Sequence, residues 1–197
     1  MNFGKSFLIA TVAALILSAC GGGGSSATPV AANLVGYAVI PLAGTSASIA
    51  EKYDADGNKV ESGFVVNGMK NGQWTQYDAD GKIRFVVNYI DGLKNGDELS
   101  FNTRGQIEAR TSYKNDQLHG ISGTYKSGRP TQEVSYKDGQ FDGPTRKYFR
   151  DGKLQQEIYF KNGKQHGSFK YFDEEGNVTL EYEYKNGEKV SGGIVEK

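Results

Sequence analysis

Residues 139–160 read GQFDGPTRKYFRDGKLQQEIYF, and the architecture follows from how this stretch turns. Two short runs rich in aromatic and β-branched residues flank FRDG, whose closing Gly152 is free to take a positive φ, so the stretch reads as a β-hairpin. The plan returns at Gly68–Tyr89, with DADG at the turn, and at Gly163–Tyr184, with DEEG. Between hairpins lie NGMKNG, DGLKNG, DGQFDG and NGKQHG, which carry Asn-Gly or Asp-Gly turn chemistry. A chain punctuated this way reverses direction at short, regular intervals.

The intervals form a true period. From Gly68, glycines recur at Gly92, Gly139, Gly163 and Gly187 with Asp116 in the one gap, in steps of 24, 24, 23, 24 and 24 residues. Four residues on stands a second glycine (Gly72, Gly96, Gly120, Gly143, Gly167), five further an aromatic (Tyr77, Phe101, Tyr125, Tyr148, Phe172), then a third glycine (Gly81, Gly105, Gly128, Gly152, Gly176). The duplicated YDADG at Tyr53 and Tyr77 marks an earlier, degraded copy in which Ser48 takes the second glycine's place. A hairpin alone cannot bury an apolar face, so each unit must lean on its neighbours. The expectation is an all-β fold, an elongated single-layer antiparallel meander of about six repeats of 23–24 residues.

The second strand of each unit shows its faces. Counting back by twos gives Tyr89, Val87, Phe85, Ile83; Tyr113, Thr111, Ala109, Ile107; Tyr136, Val134; Phe160, Ile158, with Leu154; and Tyr184, Tyr182, Leu180, Val178. Alternate positions are polar, as a half-buried strand requires. The first strand alternates too poorly to assign faces beyond its invariant aromatic.

Composition agrees with a thin sheet: 27 Gly, 12 Tyr and 10 Phe, with 37 % hydrophobic residues. Lys+Arg and Asp+Glu number 23 each, which gives no electrostatic claim on nucleic acid. One cysteine excludes an internal disulfide framework.

The N-terminal 19 residues, with Lys5 before an apolar run from Phe7 to Leu17, have the layout of a secretory signal. Leu17-Ser18-Ala19-Cys20 resembles the bacterial lipobox, which implies lipidation of Cys20 and a protein held on a membrane of the bacterial envelope. Gly21 stands where inner-membrane retention signals place Asp, so the outer membrane is expected. Residues 20–32 read as a Gly/Ser-rich tether, 33–50 as an N-terminal cap and the degenerate repeat start, and 51–197 as the repeat domain. A meander has two open edges, which 33–50 and Gly187–Lys197 are expected to finish.

The iterated G-x-x-x-G-x-x-x-x-[YF]-x-x-x-G resembles MORN repeats in their bacterial variant form, with Asp116 and the short Lys126-Ser127-Gly128 turn as departures. The resemblance implies a curved single-layer β-meander acting as a non-catalytic scaffold, linked in related proteins to phospholipid contact, dimerisation or partner docking, and often labelled antitoxin.

Residues that suggest chemistry fall into repeat positions. His119 and His166 precede the second glycine where other units have Asn71, Asn95 and Asp142, so both read as turn residues, with no catalytic role. Asp54/Asp56, Asp78/Asp80 and Asp173-Glu174-Glu175 lack the remaining ligands of a calcium loop, and no metal or cofactor is expected. Trp74, in the place of Phe169, reads as packing, and the column Tyr77, Phe101, Tyr125, Tyr148, Phe172 reads as structural. The candidate binding face is the polar one, where Arg110, Glu133, Glu157 and Glu181 recur three residues before each closing aromatic, the glutamates forming an open acidic stripe for a basic partner. The function expected is a membrane-anchored scaffold docking a protein or envelope polymer. An antitoxin or immunity role stands as the alternative; phospholipid binding by the repeats is weakened because loss of Lys5 leaves 22 basic against 23 acidic residues.

Overall fold

The computed structural model describes residues 28–195; the expected signal, Cys20 and most of the expected tether lie outside the described residues. Fifteen strands follow one another: β1 (Tyr37–Pro41), β2 (Ala47–Tyr53), β3 (Lys59–Val66), β4 (Met69–Tyr77), β5 (Ile83–Ile90), β6 (Leu93–Phe101), β7 (Ile107–Lys114), β8 (Gln117–Leu118), β9 (Gly120–Lys126), β10 (Arg129–Lys137), β11 (Gln140–Tyr148), β12 (Leu154–Lys161), β13 (Lys164–Phe172), β14 (Val178–Lys185) and β15 (Glu188–Ile194). They form one antiparallel sheet in sequence order, with β8 paired only to β7 and with β1 and β15 as its two open edges. At about 4.8 Å per strand the sheet runs to roughly 60 Å. The expected meander is present, and no helix occurs among the described residues.

Three glycine columns shape it. Each third glycine closes a turn with positive φ, as at Gly81 (75°) and Gly152 (95°). Across that turn the register shifts by one, pairing Tyr77 with Ile83, Phe101 with Ile107, Tyr148 with Leu154 and Phe172 with Val178. The shift separates Ile83, Ile107, Leu154 and Val178 from the regular alternation of the apolar face. The second glycine sits in a larger bulge. Between the pairs Ile158↔Phe169 and Phe160↔Gln165, three residues of β13 (His166, Gly167, Ser168) face the single Tyr159. β4, β6 and β11 repeat this at Gly72, Gly96 and Gly143. Only glycine suits the spot: Gly143 has φ 102°, and a Cβ there would lie 3.1 Å from the Cβ of Ser135. Two extra residues leave the alternation in phase, so the faces continue through the bulge.

A single layer encloses little. Among the described residues the buried apolar side chains are Ala50, Val65, Trp74, Leu93 and Val134. Three of them, Ala50, Val65 and Trp74, form one cluster near the N-terminal edge.

Candidate binding faces

One face, the tryptophan face, carries Trp74. Its residues are fixed by register: Ala50 pairs with Gly63, Trp74 with Val87, Val134 with Thr145, Thr145 with Ile158, Ile158 with Phe169 and Phe169 with Tyr182. The apolar alternation of the second strands therefore points where the sequence placed it, short of the bulged positions. Trp74 lies flat over Gly63, where a Cβ would stand 2.3 Å from the ring, and its Nε1–H donates to the Phe64 carbonyl at 3.0 Å. Tyr37 and Tyr89 meet the indole edge-on at centroid distances of 6.0 and 6.4 Å, and the Lys70 ammonium sits 3.8 Å from its centroid. Residues 30–37 cross this spot as a strap. Ala32, Leu34 and Tyr37 pack on the cluster, the Ala32 N–H donates to the Gly68 carbonyl at 2.9 Å, and the Val30 backbone abuts Gly92.

The opposite face carries the candidate polar row. Arg110, Glu133, Glu157 and Glu181 do stand in line, with Arg110 and Glu133 both paired to Gly123. The glutamates, however, form no open acidic stripe. The strand between each two contributes a cation to the same row: Glu133↔Arg146↔Glu157↔Lys170↔Glu181. Arg146 Nε donates to Glu157 at 2.6 Å, Lys170 pairs with Glu181 at 3.0 Å, and Arg110 pairs with Asp97 at 3.1 Å. Alternate charges opposite one another in neighbouring strands attract, so the row is a neutral ladder that stitches strands. The sequence showed the second-strand glutamates; the cations stand on the first strands, whose alternation is hidden by bulge glycines.

The aromatic column lies on this charged face, two residues beyond the row's first-strand members. Tyr77, Phe101, Tyr125, Tyr148 and Phe172 are all half-buried. The Tyr148 hydroxyl donates to Glu133 at 2.6 Å, and Tyr77 and Ser62 share a hydrogen bond at 3.2 Å. Burial, then the Glu133 carboxylate, pushes the Tyr148 phenol up to about 12.

Both histidines sit on the side of the sheet where the links between units stack. His119 Nδ1 accepts the Asp138 backbone N–H at 3.3 Å and His166 Nδ1 that of Asn186 at 3.4 Å. Asn71 and Asp142 accept from Asp91 and Asn162 in the same way, at 3.3 and 3.1 Å. The accepting residue thus locks the following link at its positive-φ residue, which has φ 49° at Asp138 and 53° at Asn186. A His119→Asn, His166→Asn double variant keeps an acceptor at both places. Its melting temperature is expected within a few degrees of the parent, a stability change of under about 0.5 kcal/mol per site, as measured by circular dichroism.

The turn carboxylates are likewise occupied locally. Asp54 Oδ1 accepts from the backbone N–H of Asp56 and Asn58, and Asp78 Oδ1 from those of Asp80 and Lys82. These bonds, led by that from Asn58, hold the Asp54 carboxyl below its usual range. Among the described residues no three His, Cys, Asp or Glu side chains are grouped as a metal site.

An open sheet of turn-locked hairpins with two unlike faces defines a β-repeat protein. The family model of the MORN repeat variant matches three stretches of the chain, residues 70–91, 141–162 and 165–186. The unmatched stretch between the first two contains Asp116, with φ 62° in place of a glycine, and the break between β8 and β9. No curated protein matches the chain.

Proposed function

We propose that this protein is a non-catalytic scaffold, anchored to the bacterial envelope through lipidated Cys20, that docks a protein partner on its sheet. The observation that carries the reading is how the polar side chains are used. The histidines lock link turns, the turn aspartates cap their own turns, Arg110, Glu157 and Glu181 are held in cross-strand ion pairs, and Glu133 accepts from the Tyr148 hydroxyl. What the repeats present outward is area, as scaffolds do. The anchor rests on the sequence preceding the described residues, and outer-membrane placement on Gly21.

Cys20→Ala is expected to move the protein from the membrane fraction to the soluble fraction after salt and carbonate washing, because acyl chains each contribute about 0.8 kcal/mol per buried methylene. A variant that stays with the membrane overturns the anchor and assigns membrane contact to the repeats. Crosslinking in intact cells, with identification of the captured protein, tests the docking reading.

A further inference from the structure

The tryptophan face continues along the sheet, yet among the described residues only its N-terminal end is covered. Four units beyond the strap, register places Phe169 where Trp74 stands, Phe160 where Val65 stands, Thr145 for Ala50, and Tyr182 and Tyr184 for Val87 and Tyr89. Under the strap, Ala50, Val65 and Trp74 are 0, 5 and 1 % exposed. Their counterparts are all only half-buried, and Tyr171 beside them is 37 % exposed. The rings pack on one another with no cover among the described residues: Phe169 stacks on Tyr182 at 5.9 Å and meets Tyr184 edge-on at 6.2 Å, while Phe141 bridges Tyr136 and Phe160 at 5.1 and 5.3 Å.

We propose that this second platform, on β12 to β14, receives an extended peptide segment of a partner protein, laid across it as residues 30–37 are laid across Trp74. The strap shows what this surface holds. It is a short run that ends in a turn at Leu34–Tyr37, seats Ala32, Leu34 and Tyr37 on the cluster, and is tied by one backbone hydrogen bond to the Gly68 carbonyl in a link turn. Gly163 is the corresponding link glycine at the second platform. Differences between the two sites define the ligand. Ile158 replaces Gly63, so the ring at 169 cannot lie as low as Trp74, and Tyr182 fills more space than Val87. The platform is therefore shallower than the seat of the strap. From β10 to β14 register places no carboxylate on this face, while Lys147 lies on it and Lys189 of β15 sits 3.8 Å from the Tyr182 ring centroid. The ligand is accordingly neutral or acidic, and a basic segment is disfavoured.

The inference rests on the docking reading above and gives it a place and a ligand class. The test uses the full-length protein carrying Phe169→Trp and labelled with 5-fluorotryptophan, whose two fluorine resonances report Trp74 and the second platform separately. The probe is a synthetic peptide of residues 28–37, TPVAANLVGY. The platform resonance is expected to shift saturably while the Trp74 resonance stays in place, and adding Tyr182→Glu to a folded protein should abolish the shift. An Asn33→Lys peptide should bind at least about tenfold more weakly. No saturable shift up to about 1 mM peptide overturns the proposal. So does a shift that depends on protein concentration without peptide, which assigns the face to a second copy, or one produced by a chitin oligosaccharide and not by the peptide. If crosslinks in cells trap a partner through the charged face while the platform resonance never moves, the scaffold reading stands and this site falls.

Discussion

Gly63→Ala is expected to lower stability by about 2–3 kcal/mol, a large effect for one methyl group, because it overpacks the enclosed cluster of Ala50, Val65 and Trp74. Gly63 is held in the ladder opposite Ala50, and its new Cβ would meet three atoms of the Trp74 ring at 2.3 to 2.4 Å. Neither strand can retreat without breaking its ladder, so the indole must swing away, losing its bond to the Phe64 carbonyl and the seat of Ala32 and Leu34. Tryptophan emission should shift to the red, and proteolysis within residues 28–36 should accelerate. Trp74→Ala alone is expected to cost about 3–5 kcal/mol. In the Trp74→Ala background the alanine at 63 should be nearly neutral, since the clash is gone. Additive losses in that cycle would show that Gly63 matters for a reason other than the ring.

The second large effect is expected from Glu157→Lys. The Glu157 side chain is 15 % exposed and stands between Arg146 and Lys170 in the row. Reversal removes the bond from Arg146 and sets three cations side by side on adjacent strands. Favourable cross-strand ion pairs contribute about 0.2–1 kcal/mol each and like charges oppose by similar amounts, so the loss should be about 2 kcal/mol, easing at high salt. Joint Arg146→Glu and Lys170→Glu changes should recover most of it by restoring alternation. An unchanged denaturation midpoint for the single variant would mean that the ladder is solvated and carries no stability.

Most of the architecture was legible because each repeat glycine answers to a backbone need. The third glycines close hairpins and the second glycines fill bulges, both at positive φ, so their spacing maps the turns directly. The histidines were legible too, since Asn71 and Asp142 perform the same acceptance in other units. Arg146 and Lys170 were misjudged by omission: they lie 11 residues from the glutamates they pair with, on strands where Gly143 and Gly167 blur the alternation. The strap was harder still. Val30 and Ala32 adjoin a Gly/Ser-rich run, and nothing local distinguishes an extended segment that finds a seat from one that does not. Its seat depends on Gly63 and Trp74, which are distant in sequence and ordinary as residue types.

In the ladder every strand pairs only with strands close to it in sequence, and this sets an order of assembly. A growing chain can add each hairpin to the finished edge before it as soon as that hairpin exists, with only short loops to close, so the sheet zips forward from its N-terminal end. The strap cannot join at its turn. Its first residues are made early, yet the carbonyl that accepts the Ala32 N–H belongs to Gly68, the ring it covers is Trp74, and Val30 rests on Gly92. The N-terminal apolar segment therefore stays unseated until β4 to β6 have formed behind it. During that interval residues 30–37 are open to other binders, a chaperone among them.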